Sequence, residues 1–371
     1  MNYMGKLLVK DVIRCIERFA PPALQESYDN CGLQVGNDSS EVTGVLITLD
    51  VTIAVLEEAI ASNCNLIVSH HPLTLSGIKR LTGRTASERI FMMAIKHDLS
   101  VFSAHTNIDS VKNGVSGVLA NRLGLKHQTI LAPREKSLLK LITFVPVANV
   151  SQVRMALFDA GAGHIGNYDS CSFNVAGEGT FRGGEDTNPY AGQKEVFHTE
   201  PEVRVETILP FYFRDAVVKA LYAAHPYEEP AFDIVPLAND WHEAGFGVVG
   251  DLEQSMSAVD FLLHLKQTTN TGCIRHTDFN RGEIKRVAVC GGSGSSLLKN
   301  AMGAGADAFV SGDFKYHQFF EGEGNILIAD IGHYESEQFT KELFFEILTN
   351  KFPNFAIRLS KLNSNPIKYL Y

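Results

Sequence analysis

Val42-Thr-Gly-Val-Leu-Ile-Thr-Leu-Asp50 and Ile284-Lys-Arg-Val-Ala-Val-Cys-Gly-Gly292 lie 242 residues apart (42 to 284) and read as the same element. Each is a short apolar run rich in β-branched residues, the composition of a strand buried on both faces. A helical stretch follows each run, at 52–62 in the first case and 295–303 in the second. Asn65-Leu-Ile-Val-Ser69 is then answered by Asp307-Ala-Phe-Val-Ser311 at the same offset (65 to 307). A third strand at 99–104 precedes His105 much as one at 325–330 precedes His333, with the offset shortened to 228 (105 to 333). Two strands in one register imply a repeated half. Strands alternating with helices, including one at 87–97, imply an α/β sheet. An opening helix at 9–20 sets Val12, Ile13, Ile16 and Phe19 at helical spacing and is stopped by Pro21-Pro22.

Between the halves, residues 128–238 have a different pattern. A strand (138–145), a helix (150–160), glycine-rich turns, a strand (203–209) and a helix (213–225) give the order β-α-β-β-α-β, a ferredoxin-like layout. A domain whose ends lie close together interrupts its host least. The expected organisation is therefore a pseudo-symmetric two-half α/β core, 1–127 and 239–371, interrupted by an α+β inserted domain at 128–238. A length of 371 residues allows two or three domains.

Composition narrows the functional classes. With 45% apolar and 20% charged residues the chain is of ordinary globular type. No tract reaches membrane-spanning length. Charges interrupt each apolar run of MNYMGKLLVKDVIRCIERFAP, which argues against a secretory signal and for a cytoplasmic protein. Six cysteines at 15, 31, 64, 171, 273 and 290 form no CxxC pair, so reduced thiols and no structural zinc are expected. A net charge of −9 argues against broad electrostatic capture of nucleic acid.

Open α/β sheets place ligands beyond the carboxyl ends of their strands. His70-His71 follow directly on NLIVS, and strand alternation predicts that the two imidazoles point to different sides and serve different ions. Taken alone, the pair reads equally well as one surface histidine and one hydrogen-bonded histidine. His105-Thr-Asn-Ile-Asp109 brings a carboxylate to the same edge, where imidazoles and a carboxylate together suit zinc, iron or manganese. Asp109 as a helix N-cap is the competing reading. In the second half His333 and Glu337 are four residues apart and share a helix face. That spacing suits an imidazole on one metal and a carboxylate between two, although Glu337 as a helix-dipole partner is the alternative. The expected centre therefore holds two divalent ions, zinc first among them, on His70, His71, Asp109, His333 and Glu337. His105 reads as a further metal ligand or as a partner behind one, and both His105 and His317 are candidates for orienting a ligand or moving a proton, His317 equally for a structural hydrogen bond. Gly291-Gly-Ser-Gly-Ser-Ser296 reads as a tight turn in preference to an anion site.

SHHPL, HTNID, SGDFKYHQ and GHYESE, in this order, resemble the NIF-three-like family, whose bacterial members often carry the label GTP cyclohydrolase 1 type 2 homolog. The resemblance covers about 1–127 and 239–371 and implies the same five metal ligands. The inserted segment, ending in AHPYEEPAFD (224–233), resembles a PII/CutA-type domain. The resemblance further implies a ring-like homohexamer. The leading functional expectation is a metal-dependent hydrolase acting on a small-molecule or nucleotide substrate, of GTP cyclohydrolase type. The alternative is a non-enzymatic protein that senses, stores or delivers metal, with the inserted domain as its regulatory module.

Overall fold

A computed structural model describes residues 6–278 and 282–370. The chain divides into two compact units, one taking in residues up to Pro133 and from His242 onward, the other Arg134–Trp241. The first unit extends past residue 127 because the strand Lys126–Arg134 is the outer member of one of its sheets.

The first unit is a mixed α/β fold with two sheets. One has five strands in the order Gly32–Val35, Ser100–Ser103, Leu66–Ser69, Val45–Thr48, Ile357–Leu359. The other has six, in the order Arg275–His276, Leu327–Asp330, Ala308–Gly312, Glu283–Ser293, Trp241–Ser257, Lys126–Arg134. The repeat in the sequence appears as a repeat in hydrogen-bond register. Val45 pairs with Leu66 in a parallel ladder, and Val287 pairs with Ala308 in the same way, both 242 residues on. In the third strand Ser69 pairs with Ser103 and Ser311 with Asp330, an offset of 227 (103 to 330). It becomes 228 at the histidines because Ile331-Gly332 stands where the first half has Ala104 alone.

Alternation along the strands divides the core. In the first sheet Val45, Ile47, Leu66, Val68 and Phe102 pack with the helices Val9–Phe19 and Thr340–Lys351. Leu46, Ile67 and Val101 face the helices Ile53–Ala61 and Ala86–Lys96. Burying each such side chain contributes about 1.5–3 kcal/mol, which explains strands with no polar face. Thr52 and Thr85 cap these two helices, accepting from the Val55 and Glu88 amides. The second half departs from this plan after its first strand. With no side-chain cap available, Ser295–Leu297 forms a 3-10 turn before the six-residue helix Leu298–Gly303.

The second unit has four strands, ordered Ser172–Phe181, His198–Pro210, Leu138–Pro146, Phe232–Pro236, all paired antiparallel. The helices Val150–Asp159 and Arg214–Ala224 share its core through Val153, Leu157, Val217 and Leu221. All six cysteines are free thiols, and Cys64 and Cys290 are buried. No helix among the described residues is long and apolar enough to cross a membrane.

Candidate metal centre

The parallel strands of both halves deliver their ends to one partly buried cluster. Leu66–Ser69 ends one residue before His70, whose side chain is fully buried. The Ser69 and Ser103 hydroxyls, 2.8 Å apart, both donate to the His71 carbonyl (2.9 and 3.3 Å) and so fix the backbone just past the strand. The two imidazoles do not diverge as alternation along a strand predicts. Their ring centroids are 4.8 Å apart, because both residues lie beyond the end of the ladder. Asp109 closes the one-turn helix Thr106–Asp109 and caps nothing, since the next helix starts after Gly114. His333 and Glu337 share one face of the helix His333–Glu337, their Nε2 and Oε2 atoms 3.1 Å apart. With the one-residue insertion counted, Glu337 occupies the place in the second half that Asp109 occupies in the first (109 to 337).

Glu337 stands at the middle of the cluster. Oε1 is 3.6 Å from His70 Nε2, which is 3.7 Å from Asp109 Oδ1. Oε2 is 3.0 Å from His71 Nε2, and the His71 and His333 Nε2 atoms are 3.3 Å apart. Two sets of three thus share one carboxylate, His70/Asp109/Glu337 and His71/His333/Glu337. His105 forms a further set with His70 and His71, with ring centroids at 5.2 and 5.4 Å.

The cluster fits a metal on two observations. His70 Nε2 and Asp109 Oδ1 are buried side-chain atoms without a hydrogen-bond partner, a costly arrangement unless something else satisfies them. Separations of 3.0–3.7 Å also bracket the edge of a tetrahedron, about 3.3 Å, around an ion with bonds of about 2.0–2.1 Å.

The outward nitrogens show how the donors are aimed. Each Nδ1 has an acceptor: the Ala104 carbonyl for His70 (3.0 Å), Asp50 for His71 (2.7 Å), Asp313 for His333 (2.7 Å) and Asp29 for His105 (2.8 Å). This arrangement fixes the ring and turns Nε2 toward the centre. Asp29 also accepts from the Thr106 amide (2.9 Å). Burial opposes the charge on Asp29, but the hydrogen bonds from His105 and Thr106 outweigh it and hold the carboxyl well below its usual range.

Without an ion the centre holds protons. Burial disfavours a charged His71, yet hydrogen bonds to Asp50 and Glu337 raise its pKa to about 10. The same opposition, with Glu337 and Asp313 as acceptors, raises His333 to about 9. Burial, reinforced by the charge of Glu337, raises Asp109. Glu337 itself resists burial and stays ionised, its pKa lowered by the charge of His70 and the hydrogen bond from His333. A metal must displace protons from His71 and His333 to bind.

The sequence assigns Asp50, Asp313 and Asp29 no role at the centre and marks Gly292 only as part of a tight turn. Asp313 was within reach, since it stands at the 242-residue offset from His71. Gly292 adopts φ +62°, and a Cβ there would fall 2.2 Å from Glu337 Oε1. The glycine turn is filled from within the protein, because the Gly292 amide donates to Ser336 Oγ (2.8 Å) and the Gly294 amide to Ser311 Oγ (2.9 Å). His317 is not brought to the centre. It is exposed on the 3-10 helix Tyr316–Gly322, its ring against Tyr316 and Phe320, and it belongs to none of the three sets.

Fold and site together define an α/β protein with a partly buried histidine–carboxylate cluster that could hold a metal ion between two related halves of one unit. The chain belongs to the Duf34/NIF3 (NGG1p interacting factor 3) family, whose profile matches residues 7–366. It is 38% identical over 364 residues to a "GTP cyclohydrolase 1 type 2 homolog" of Halalkalibacterium halodurans, covering 97% of this chain and 98% of that one. A protein of the same description from Bacillus subtilis is 35% identical over 368 residues, with coverage of 97% and 98%. A solved Bacillus cereus protein related to NIF3 superposes with a TM-score of 0.84 at 35% identity, over 99% of this chain and 100% of that one.

Proposed function

We propose that this protein is a dinuclear metal-dependent hydrolase acting on a nucleotide-type substrate. The observation that carries the reading is the sharing of Glu337 by two sets of donors. His70 and Asp109 would hold one ion, His71 and His333 the other, with Glu337 between them. Two divalent ions, zinc by the donor chemistry, would polarise a substrate oxygen and bring the pKa of a water toward neutrality.

The chain's own residues supply the rest. His70, fully buried, and Glu337, nearly so, keep bulk water from the inner face of the centre. His105 has its Nδ1 held by Asp29, which leaves Nε2 as the basic atom, and its side chain is 17% exposed. In this reading it would take a proton from water and return it to a leaving nitrogen. The description of the relatives supports GTP as the substrate. Water would then add to the imidazole carbon of guanine, the ring would open, and hydrolysis would release that carbon as formate. The strand order of Arg134–Trp241 supports reading that unit as a ferredoxin-like, PII/CutA-type domain. Family membership supports a homo-oligomer, a ring-like hexamer, which light scattering would measure.

The test is to incubate zinc-loaded protein with GTP and follow formate and pterin-precursor absorbance. Turnover abolished by E337Q is expected. Absence of any turnover that depends on Glu337 would refute the cyclohydrolase reading.

A further inference from the structure

The unit Arg134–Trp241 contains a cleft of about 500 Å3 for which the metal centre has no use. Its walls are aromatic. The rings of Phe181 and Tyr190 lie 5.8 and 6.1 Å from that of Tyr227, and all three line the space.

Glu202 also lines the cleft, and its residue is only 7% exposed. Its carboxylate rests over Gly179, where a Cβ would come within 2.2 Å of Oε2, so a side chain at 179 would expel it. Among the described residues its one hydrogen bond is from the Tyr227 hydroxyl to Oε1, at 2.7 Å. Burial and the neighbouring Glu202 charge push the Tyr227 hydroxyl well above its usual range, so it remains a donor. Tyr227 is itself held in place, its amide donating to His225 Nδ1 (3.1 Å) while His225 Nε2 bonds the Phe144 carbonyl (2.9 Å). With its hydrogen bond on Oε1, the Glu202 carboxylate presents further acceptor capacity and its charge to the cleft.

The rim has the same sign. Glu178, Glu228 and Glu229 line the opening against a single guanidinium, Arg182. This balance repels phosphates and carboxylates, while ring faces and a carboxylate together attract an ammonium group by cation–π and ionic contact. We infer that the cleft is a binding site for a small primary alkylammonium ligand, its charged end on Glu202 and its alkyl chain between Phe181, Tyr190 and Tyr227. The available volume is ample for a chain of four to six carbons. Occupancy here would make the second unit a receptor for an organic cation, independently of what the first unit catalyses.

The test titrates the full chain with 1,4-diaminobutane in 0.15 M salt, reading tyrosine fluorescence and calorimetric heat. The neutral isostere 1,4-butanediol serves as the comparison. E202Q keeps the size of the side chain and an acceptor for the Tyr227 hydroxyl while removing the charge. D240N removes one charge from an exposed position of the same unit. The diamine should bind and the diol should not. E202Q should weaken the diamine at least tenfold with an unchanged melting temperature, and D240N should leave binding as it was. Equal binding of diol and diamine, equal affinity of E202Q and the parent protein, or no diamine binding up to 10 mM would each overturn the inference.

Discussion

Gly292→Ala isolates the packing of the centre from its ligands. The new methyl carbon would lie 2.2 Å from Glu337 Oε1 and 3.3 Å from His333 Cε1. A carbon and an oxygen in contact need roughly 3.2 Å, so the carboxylate must retreat by about 1 Å. A displacement of that size in a shared ligand should cost about 10–100-fold in metal affinity, or about 1.4–2.8 kcal/mol. The φ of +62° adds a separate cost of about 1–2 kcal/mol to folding, because alanine tolerates the left-handed region poorly. Gly324→Ala separates the two effects, since Gly324 has φ +69° and nothing within 4 Å of its would-be Cβ. In urea melts of chelator-treated protein G292A should lose at least as much stability as G324A, which carries the backbone cost alone. Only G292A should lose zinc affinity in competition with a fluorescent chelator. Equal zinc affinity in the two variants would show that Glu337 does not depend on the Gly292 turn and would refute the reasoning.

Further outcomes follow from the same geometry. E337Q should empty both donor sets, whereas D109N should keep the ion held by His71, His333 and Glu337; elemental analysis of the purified variants decides, and equal metal loss would contradict the shared-carboxylate arrangement. H317A should leave metal content and affinity unchanged, given its exposed position away from the cluster, and a drop in either would return His317 to the site. In metal-free protein, His71 and His333 have folded pKa values of about 10 and about 9, above the free-histidine value of about 6.5. Their stabilisation is therefore complete below about pH 6.5 and is lost as pH rises through 9 and 10. Melting temperatures of chelator-treated protein should fall across that range while zinc affinity rises, because binding displaces the same protons. A flat or rising melting profile would show that these histidines are not charged partners of Glu337.

Much of the fold was legible in the chain because strand identity and the 242-residue register are local properties. Val45 and Val287 pair with Leu66 and Ala308 as their apolar runs indicated. The approach of His70, His71, Asp109, His333 and Glu337 was also foreseeable, since a repeated half must bring equivalent strand ends together.

The tertiary structure decided what depends on contacts between residues far apart in sequence. Hydrogen bonds of 2.7–2.8 Å commit Asp50, Asp313 and Asp29 to the outward nitrogens of His71, His333 and His105, and no spacing rule links residues 20 to 76 positions apart. The structure alone showed that His70 and His71 turn the same way, because alternation ends with the strand. It also showed that the glycine turn at 291–294 leaves room for a carboxylate instead of binding an anion. Periodicity sets which residues reach a strand end, whereas side-chain aim beyond it is set by packing and by the acceptors that happen to be near.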